Sequence, residues 1–183
     1  MEQTPRANRI HIGIYGRCNS GKSSLINAIT GQQTAVVSEV AGTTTDTVNK
    51  SMELPGVGAV TFIDTAGFDD TGELGTKRLE QTRKAADRTD VAVIVHAGGE
   101  PSAEREWIGL FGERNIPVVL VLKKADLLND EAAAVSALRA ETGINPIAVS
   151  ALTGKGIGEL IAAIAEAGRG ATDEVSITRN LAG

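Results

Sequence analysis

Gly16-Arg17-Cys18-Asn19-Ser20-Gly21-Lys22-Ser23 fits the pattern glycine, four residues, glycine, lysine, hydroxyl residue. The glycines let the backbone wrap so that successive N–H groups face one concavity, a nest for anionic oxygen. Ahead of it, Ile10, Ile12 and Ile14 alternate with other residues, which predicts a strand entering a tight turn. Behind it, Leu25, Ile26 and Ile29 recur at helical spacing, with Gly31 expected as the C-cap. Strand, glycine turn and helix N-terminus together make a phosphate site, because the helix dipole adds positive potential. Lys22 brings charge to the outer phosphates and the Ser23 hydroxyl can ligate Mg²⁺. The pattern does not recur: Gly154-Lys155 is followed by Gly156 and lacks the first glycine.

Working outward, Val60 to Asp64 is an apolar run that stops at Asp64-Thr65-Ala66-Gly67. Val91 to Val95 and Val118 to Leu122 are unbroken apolar runs, the signature of strands buried on both faces of a parallel sheet. Trp107, Ile108, Leu110 and Phe111 mark a helix between them, and Pro146 to Ser150 supplies a last strand. Ile157, Leu160, Ile161 and Ile164 form the apolar stripe of a last helix. Strands alternating with helices imply crossovers and a doubly wound α/β sheet, whose ligands sit at the carboxyl ends of the strands. Residues 1–9 read as a flexible N-terminus, 10–167 as the domain, and 168–183 as a linker or tail towards a further domain.

The composition fits one soluble domain: 183 residues, 42% hydrophobic, 22% charged and only 3% aromatic, so the core must be aliphatic. A net charge of −5 argues against nucleic acid as a non-specific partner. The single cysteine, Cys18, leaves no internal disulfide and no cysteine-held cluster in this chain. With no signal-like run at the N-terminus and no apolar stretch of membrane length, the expected setting is cytoplasmic, away from membranes.

Three segments carry a resemblance: Gly16 through Gly31, Val40-Ala-Gly-Thr-Thr-Thr-Asp46, and Phe62-Ile-Asp-Thr-Ala-Gly-Phe-Asp-Asp70. Gly72-Glu-Leu-Gly75, Thr82-Arg-Lys84 and Asp87-Arg-Thr-Asp90 add to it. The chain resembles, over roughly residues 9 to 167, P-loop GTPases of the tRNA-modification and ribosome-assembly group. Within that group it is most similar to the GTPase domain of the [FeFe]-hydrogenase maturation protein HydF, since relatives usually carry Arg where Thr45 stands. The resemblance implies a three-layer P-loop NTPase (Ras-like) fold, with a mostly parallel central sheet and helices on both faces.

It also implies roles. Arg17, Cys18, Asn19, Ser20, Gly21, Lys22, Ser23 and Ser24 would surround the phosphates. Thr44 would be the switch I threonine, joining Ser23 and Asp64 around Mg²⁺. Thr65, Ala66 and Gly67 would follow Asp64 at the γ-phosphate, with the Gly67 N–H meeting it and switch order depending on it. Asn19, with backbone carbonyls near Ser38, Val40 and Thr43, would hold K⁺. There K⁺ would neutralise charge developing between the β- and γ-phosphates. Ser150, Ala151 and Leu152 would brace the guanine. Phe68 stands where many signalling GTPases have a water-orienting glutamine, so unaided hydrolysis is expected to be slow. The wider implication is a scaffold or carrier in hydrogenase maturation, working with HydE, HydG and apo-[FeFe]-hydrogenase. A homodimer is one expected form, and no Fe–S cluster belongs to this chain.

The pattern breaks in places. The guanine motif is normally Asn-Lys-x-Asp, and here it reads Lys123-Lys124-Ala125-Asp126. Asp126 can still accept from guanine N1–H and the amine, and Lys124 can lie along the base. Lys123 can donate but cannot accept, so one link of the usual network is lost and weaker affinity is expected. The family's switch II glutamate matches Thr76; Glu73 nearby is the candidate base, against the plainer reading of a solvated switch residue. For Cys18, a reactive thiol at a helix N-terminus competes with a small residue filling a small space. His11 and His96 are expected to be core or strand-end histidines. The alternatives are a nucleotide-gated binding module with incidental turnover, or a tRNA- or ribosome-linked GTPase.

Overall fold

A computed structural model of the chain describes residues 10–16, 22–32, 38–40, 49–54, 58–64, 83–98, 101–123 and 130–181. Among these, strands β1 (Ile10–Gly16), β2 (Ser38–Val40), β3 (Asn49–Leu54), β4 (Gly58–Asp64), β5 (Val91–His96), β6 (Val118–Leu122) and β7 (Ile147–Ala148) form one sheet. Its order is β2-β3-β4-β1-β5-β6-β7. β1 pairs in parallel with β4 and β5, β5 with β6, and β6 with β7, while β2 and β3 are antiparallel additions at one edge. The described helices are α1 (Lys22–Gln32), α2 (Ser102–Glu113), α3 (Glu131–Thr142) and α4 (Ile157–Leu181), with a helical turn over 83–86.

Strand alternation sorts the core into two layers. Ile12 and Ile14 of β1, Val91, Val93 and Val95 of β5, and Val119 and Val121 of β6 face one side. There they meet Leu25, Ile26 and Ile29 of α1 and Ile157, Leu160, Ile161 and Ile164 of α4. The intervening residues Tyr15, Ala92, Ile94, Leu120 and Leu122 face the other side and meet Trp107 and Phe111 of α2 and Leu138 of α3. The continuous apolar runs are thus buried on both faces, which is the three-layer P-loop fold with helices either side of the sheet.

The two layers differ in character: the first is wholly aliphatic apart from Phe62 and Met52, the second is built around an aromatic cluster. Tyr15 packs tilted against Phe111 at 4.8 Å between ring centroids and against Trp107 at 6.4 Å. Its hydroxyl lies 2.7 Å from Thr89 Oγ1, which itself donates to the Ala85 carbonyl at 2.8 Å, so Tyr15 is the donor. Burial pushes the Tyr15 phenol up to about 12, against the smaller opposing effect of its hydrogen bond with Thr89. Gly13, two residues earlier on the same face, is what makes room for the ring: an added Cβ would lie 2.7 Å from both Tyr15 Cε2 and Thr89 Oγ1. At the amino edge, the His11 N–H donates to the Asp90 carboxylate (2.8 Å) and the Asp90 N–H returns to the His11 carbonyl (2.7 Å). Burial alone would raise the Asp90 carboxyl. The His11 hydrogen bonds and charge outweigh it and hold the group below its ordinary value.

Several boundaries differ from the sequence expectation. α1 runs through Gly31 to Gln32, so Gly31 is a helical residue and not the C-cap. The last strand is Ile147–Ala148 only. Pro146 has no N–H to give, and the Ser150 N–H turns away to the Lys155 carbonyl at 2.9 Å. α4 extends to Leu181, through the stretch read as an irregular tail. Once the apolar stripe docks the first turns on the core, adding residues to an existing helix costs far less than nucleating one. Among the described residues no helix is long and apolar enough to cross a membrane.

Replacing Gly13 by Ala forces a methyl group against the Tyr15 ring and the Thr89 hydroxyl, and should destabilise the fold by about 1–3 kcal/mol through overpacking. Urea unfolding should show a lower midpoint with an unchanged slope.

Candidate nucleotide-binding site

The register of the ladder decides what meets at the carboxyl edge of the sheet. Ile14 lies opposite Asp64, Gly16 opposite Val95, His96 opposite Leu122, and Leu122 opposite Ala148. Gly16, Asp64, His96, Lys123 and Ser150 therefore arrive at one edge. α1, beginning at Lys22, is the next described element after β1, so its positive N-terminus follows β1 directly in the chain. Lys22 and Ser23 occupy its first turn, and Ser24 is exposed.

On the side expected to hold the base, Lys123 follows β6 directly and is only 6% exposed. Its N–H donates to the His96 carbonyl (2.8 Å), and the Val149 N–H donates to the Leu122 carbonyl (2.9 Å), carrying the ladder to the strand ends. Ser150 is buried, and a tight loop closes after it. The Gly154 N–H donates to the Ser150 carbonyl (2.8 Å), the Thr153 N–H to Ser150 Oγ (3.2 Å), and the Lys155 N–H to Thr153 Oγ1 (3.3 Å). Ala151 is half-buried and Leu152 is exposed at the tip. Lys155 Nζ pairs with the Glu131 carboxylate in the first turn of α3, tying the loop to that helix. α3 is itself fixed at both ends. The Asp130 side chain accepts from the Ala133 N–H (3.1 Å), and Gly143 closes the helix at φ 78°.

Ser38 and Val40 lie in β2 opposite Ser51 and Asn49. Two residues apart in an extended strand, they direct their carbonyls to the same side. Arg17, Cys18, Asn19, Ser20, Gly21, Thr43, Thr44, Thr65, Ala66, Gly67, Glu73, Lys124 and Asp126 fall outside the described residues. Among the described residues no group of three or more His, Cys, Asp or Glu gathers as a metal cage. A divalent ion here would draw on phosphate oxygens beside a hydroxyl and a carboxylate, which is how Mg²⁺ is ordinarily held next to nucleotides. Ser23 and Asp64, at the starts of α1 and the end of β4, fit such a donor set.

Two residues of this edge escaped the sequence reading. Gly156 has φ +77° and an added Cβ would lie 2.1 Å from the Ala148 carbonyl oxygen, so the loop closes only over a glycine. Its signal was the pair Gly154 and Gly156 after Ser150-Ala151-Leu152. Glu104 is 1% exposed in the first turn of α2, with Oε1 3.3 Å from His96 Nδ1. Its signal was a charge at the helical spacing of Trp107 and Phe111. His96 is a buried strand-end histidine.

Against known families, residues 11–124 match the model of the 50S ribosome-binding GTPase. The chain is 36% identical over 152 residues to the tRNA modification GTPase MnmE of Xanthomonas oryzae pv. oryzae, covering 82% of this chain and 32% of that protein. It is 41% identical over 130 residues to GTPase Der of Campylobacter concisus, covering 68% and 28%. The chain thus spans about a third of the length of the curated relatives it matches. Among solved structures, Aquifex aeolicus Era bound to GDP·AlF4⁻ superposes with a TM-score of 0.66 at 24% identity, covering 85% of this chain and 56% of that one. The G domain of the T. maritima FeoB iron transporter gives 0.62 at 23%, covering 87% and 98%. These likenesses carry the fold. The sequence matches carry the broader group expected from the motifs, without its hydrogenase-maturation branch.

Substituting Gly156 with Ala strains a left-handed backbone position and drives a methyl into the Ala148 carbonyl. Guanine-nucleotide affinity should fall tenfold or more, about 1.4 kcal/mol, when measured by calorimetry. Gly158→Ala, where an added Cβ meets open space, should leave affinity unchanged.

Proposed function

The chain belongs to the 50S ribosome-binding GTPase family, and we propose that it is the GTP-operated switch domain of a larger protein. The observation that carries this reading is the convergence of Gly16, Asp64, Lys123 and Ser150 at one sheet edge, set by the ladder register. In this reading Arg17 to Ser24 wrap the phosphates, with Lys22 on the outer ones, and Thr65 to Gly67 follow the γ-phosphate. Ser23, Thr44 and Asp64 hold Mg²⁺, which spreads the negative charge of the phosphates when bound. Lys124 and Asp126 read the guanine, whose bidentate pairing with a carboxylate leaves adenine rejected. Ser150, Ala151 and Leu152 back it with the closed loop. Asn19, with carbonyls near Ser38, Val40 and Thr43, holds K⁺ beside the β- and γ-phosphates, and Glu73 is the candidate base. Phe68 has no group to orient water, so turnover without help is slow.

For the whole protein, a role in tRNA modification or at the ribosome is favoured by the MnmE relatives, which are tRNA modification GTPases. The net charge of −5 counts against non-specific RNA binding only, since charge alone says nothing of a shaped, specific contact. Hydrogenase maturation, with HydE, HydG and apo-[FeFe]-hydrogenase as partners, is the second reading. The stretch Thr43-Thr44-Thr45-Asp46 favours it, because Thr45 replaces the arginine usual in the group.

GTP hydrolysis by this chain should run on the order of tenfold or more faster in K⁺ than in Na⁺, with ATP inert, and Asn19→Ala should erase the difference. Equal rates in the two salts would refute the cation role. The readings of the whole protein separate by partner. Specific capture of tRNA or ribosomal RNA by the full-length protein supports the first. Hydrogenase activity that appears only when the full-length protein is supplied supports the second.

A further inference from the structure

The turn over 83–88 carries Arg83, Lys84 and Arg88 as exposed residues, with Asp87 among them and Asp90 just after it. It is fixed from three directions. Ala85 and Ala86 are buried in the aromatic layer. Thr89 Oγ1 accepts from the Tyr15 hydroxyl (2.7 Å) and donates to the Ala85 carbonyl (2.8 Å). The Asp90 N–H donates to the His11 carbonyl (2.7 Å), which sets the turn against the amino end of β1, away from the edge that gathers Gly16 and Ser150.

Both acids of this segment are engaged. Asp87 pairs with Arg114 at the end of α2, and Asp90 accepts from the His11 N–H (2.8 Å) with His11 Nδ1 3.5 Å away. Burial raises the Tyr15 phenol while the charges of Arg88 and Arg114 oppose it, so both guanidinium groups stand around that one point. Arg83, Lys84, Arg88 and Arg114 thus outnumber Asp87, Asp90 and Glu113, in a chain that carries 18 cationic against 23 acidic residues. The sign of the charge is reversed locally. Lys84 and Arg88 also stand one turn apart, a like-charge spacing that costs stability unless an anion lies across it.

We propose that the exposed side of this turn, with Arg114, is a docking surface for the phosphate backbone of an RNA, which rests on the tRNA- or ribosome-linked reading of the whole protein given above. Three of the four cations are arginines, whose planar forks meet phosphate oxygens with paired N–H groups. The aromatic side chains of this layer, Tyr15, Trp107 and Phe111, are buried and cannot stack on bases. Contact is therefore with the backbone, positions the RNA and is blind to its sequence. Because the turn is held before anything binds, little backbone freedom is lost on docking.

The test measures binding of bulk tRNA and of ribosomal RNA fragments to the full-length protein across a range of salt. The triple variant R83A/K84A/R88A should weaken every RNA about tenfold or more and lower the slope of log affinity against log salt by about two, since three phosphate contacts are lost. R83K/R88K, which keeps the charges, should stay within about threefold of the wild type. Arg105→Ala and Arg139→Ala, exposed cations elsewhere on α2 and α3, should change neither affinity nor slope. If the triple variant does not fold, K84A/R88A carries the test, with a slope lowered by about one and a half. RNA binding with an unchanged slope in these variants overturns the docking surface while the RNA-linked reading stands. Full-length protein that binds no RNA overturns both. Binding of phosphatidylglycerol vesicles or polyglutamate in place of RNA, lost in the triple variant, gives the surface to a lipid or an acidic peptide and overturns it as well.

Discussion

The parallel ladder β4-β1-β5-β6-β7 holds five strands in a register that brings their carboxyl ends to one line. Parallel strands need crossover connections, so each end must feed a loop that leaves the sheet, and these loops are forced together above the same edge. Because both faces are buried, a slip of one residue would turn Val91, Val93 and Val95 onto the aromatic layer and Ala92 and Ile94 onto the aliphatic one. The core therefore fixes the register, and the register fixes the site. Residues far apart in the chain, such as Gly16 and Ser150, are thereby brought to one edge without having to touch each other.

The two layers give the two ends of that site different support. Below the phosphate loop, Tyr15 anchors the end of β1 through its contacts with Phe111 and Trp107 and its hydrogen bond to Thr89, just before the helix-flanked turn at 83–88 meets β5. On the base side the support is polar. There the loop 150–156 closes on its own backbone, Lys155 binds it to α3, and a buried histidine and glutamate pair with each other at the end of β5. A buried polar network of this kind contributes less to stability than to holding one geometry, since any misplacement leaves a charge or donor unpaired in a low-dielectric interior.

Much of this was legible in the sequence. The glycine–lysine–serine loop announced itself because its chemistry is local: a tight turn, a helix start and a charge lie within eight consecutive residues. The runs Val91 to Val95 and Val118 to Leu122 announced buried parallel strands because burial on both faces leaves no alternation. α3 went unread although Asp130 and Gly143 cap it, because its alanine-rich stretch shows almost no apolar stripe; only Leu138 is fully buried. β2 and β3 went unread because Ser38-Glu39-Val40 and Asn49-Lys50-Ser51 are polar, and only the pairing of β3 onto β4, and of β2 onto β3, makes them strands.

The sequence by itself thus determined the buried parallel strands, the helices that carry an apolar stripe, and the broader GTPase family, since each is written in neighbouring residues or in short-period patterns. The tertiary structure alone decided that Lys123 is buried. In the sequence it was a lysine where an asparagine belongs, a lost hydrogen bond. Its burial, and the hydrogen bond from its N–H to the His96 carbonyl, depend on which strands lie side by side. That is a long-range fact, set by packing between segments, which no local pattern records.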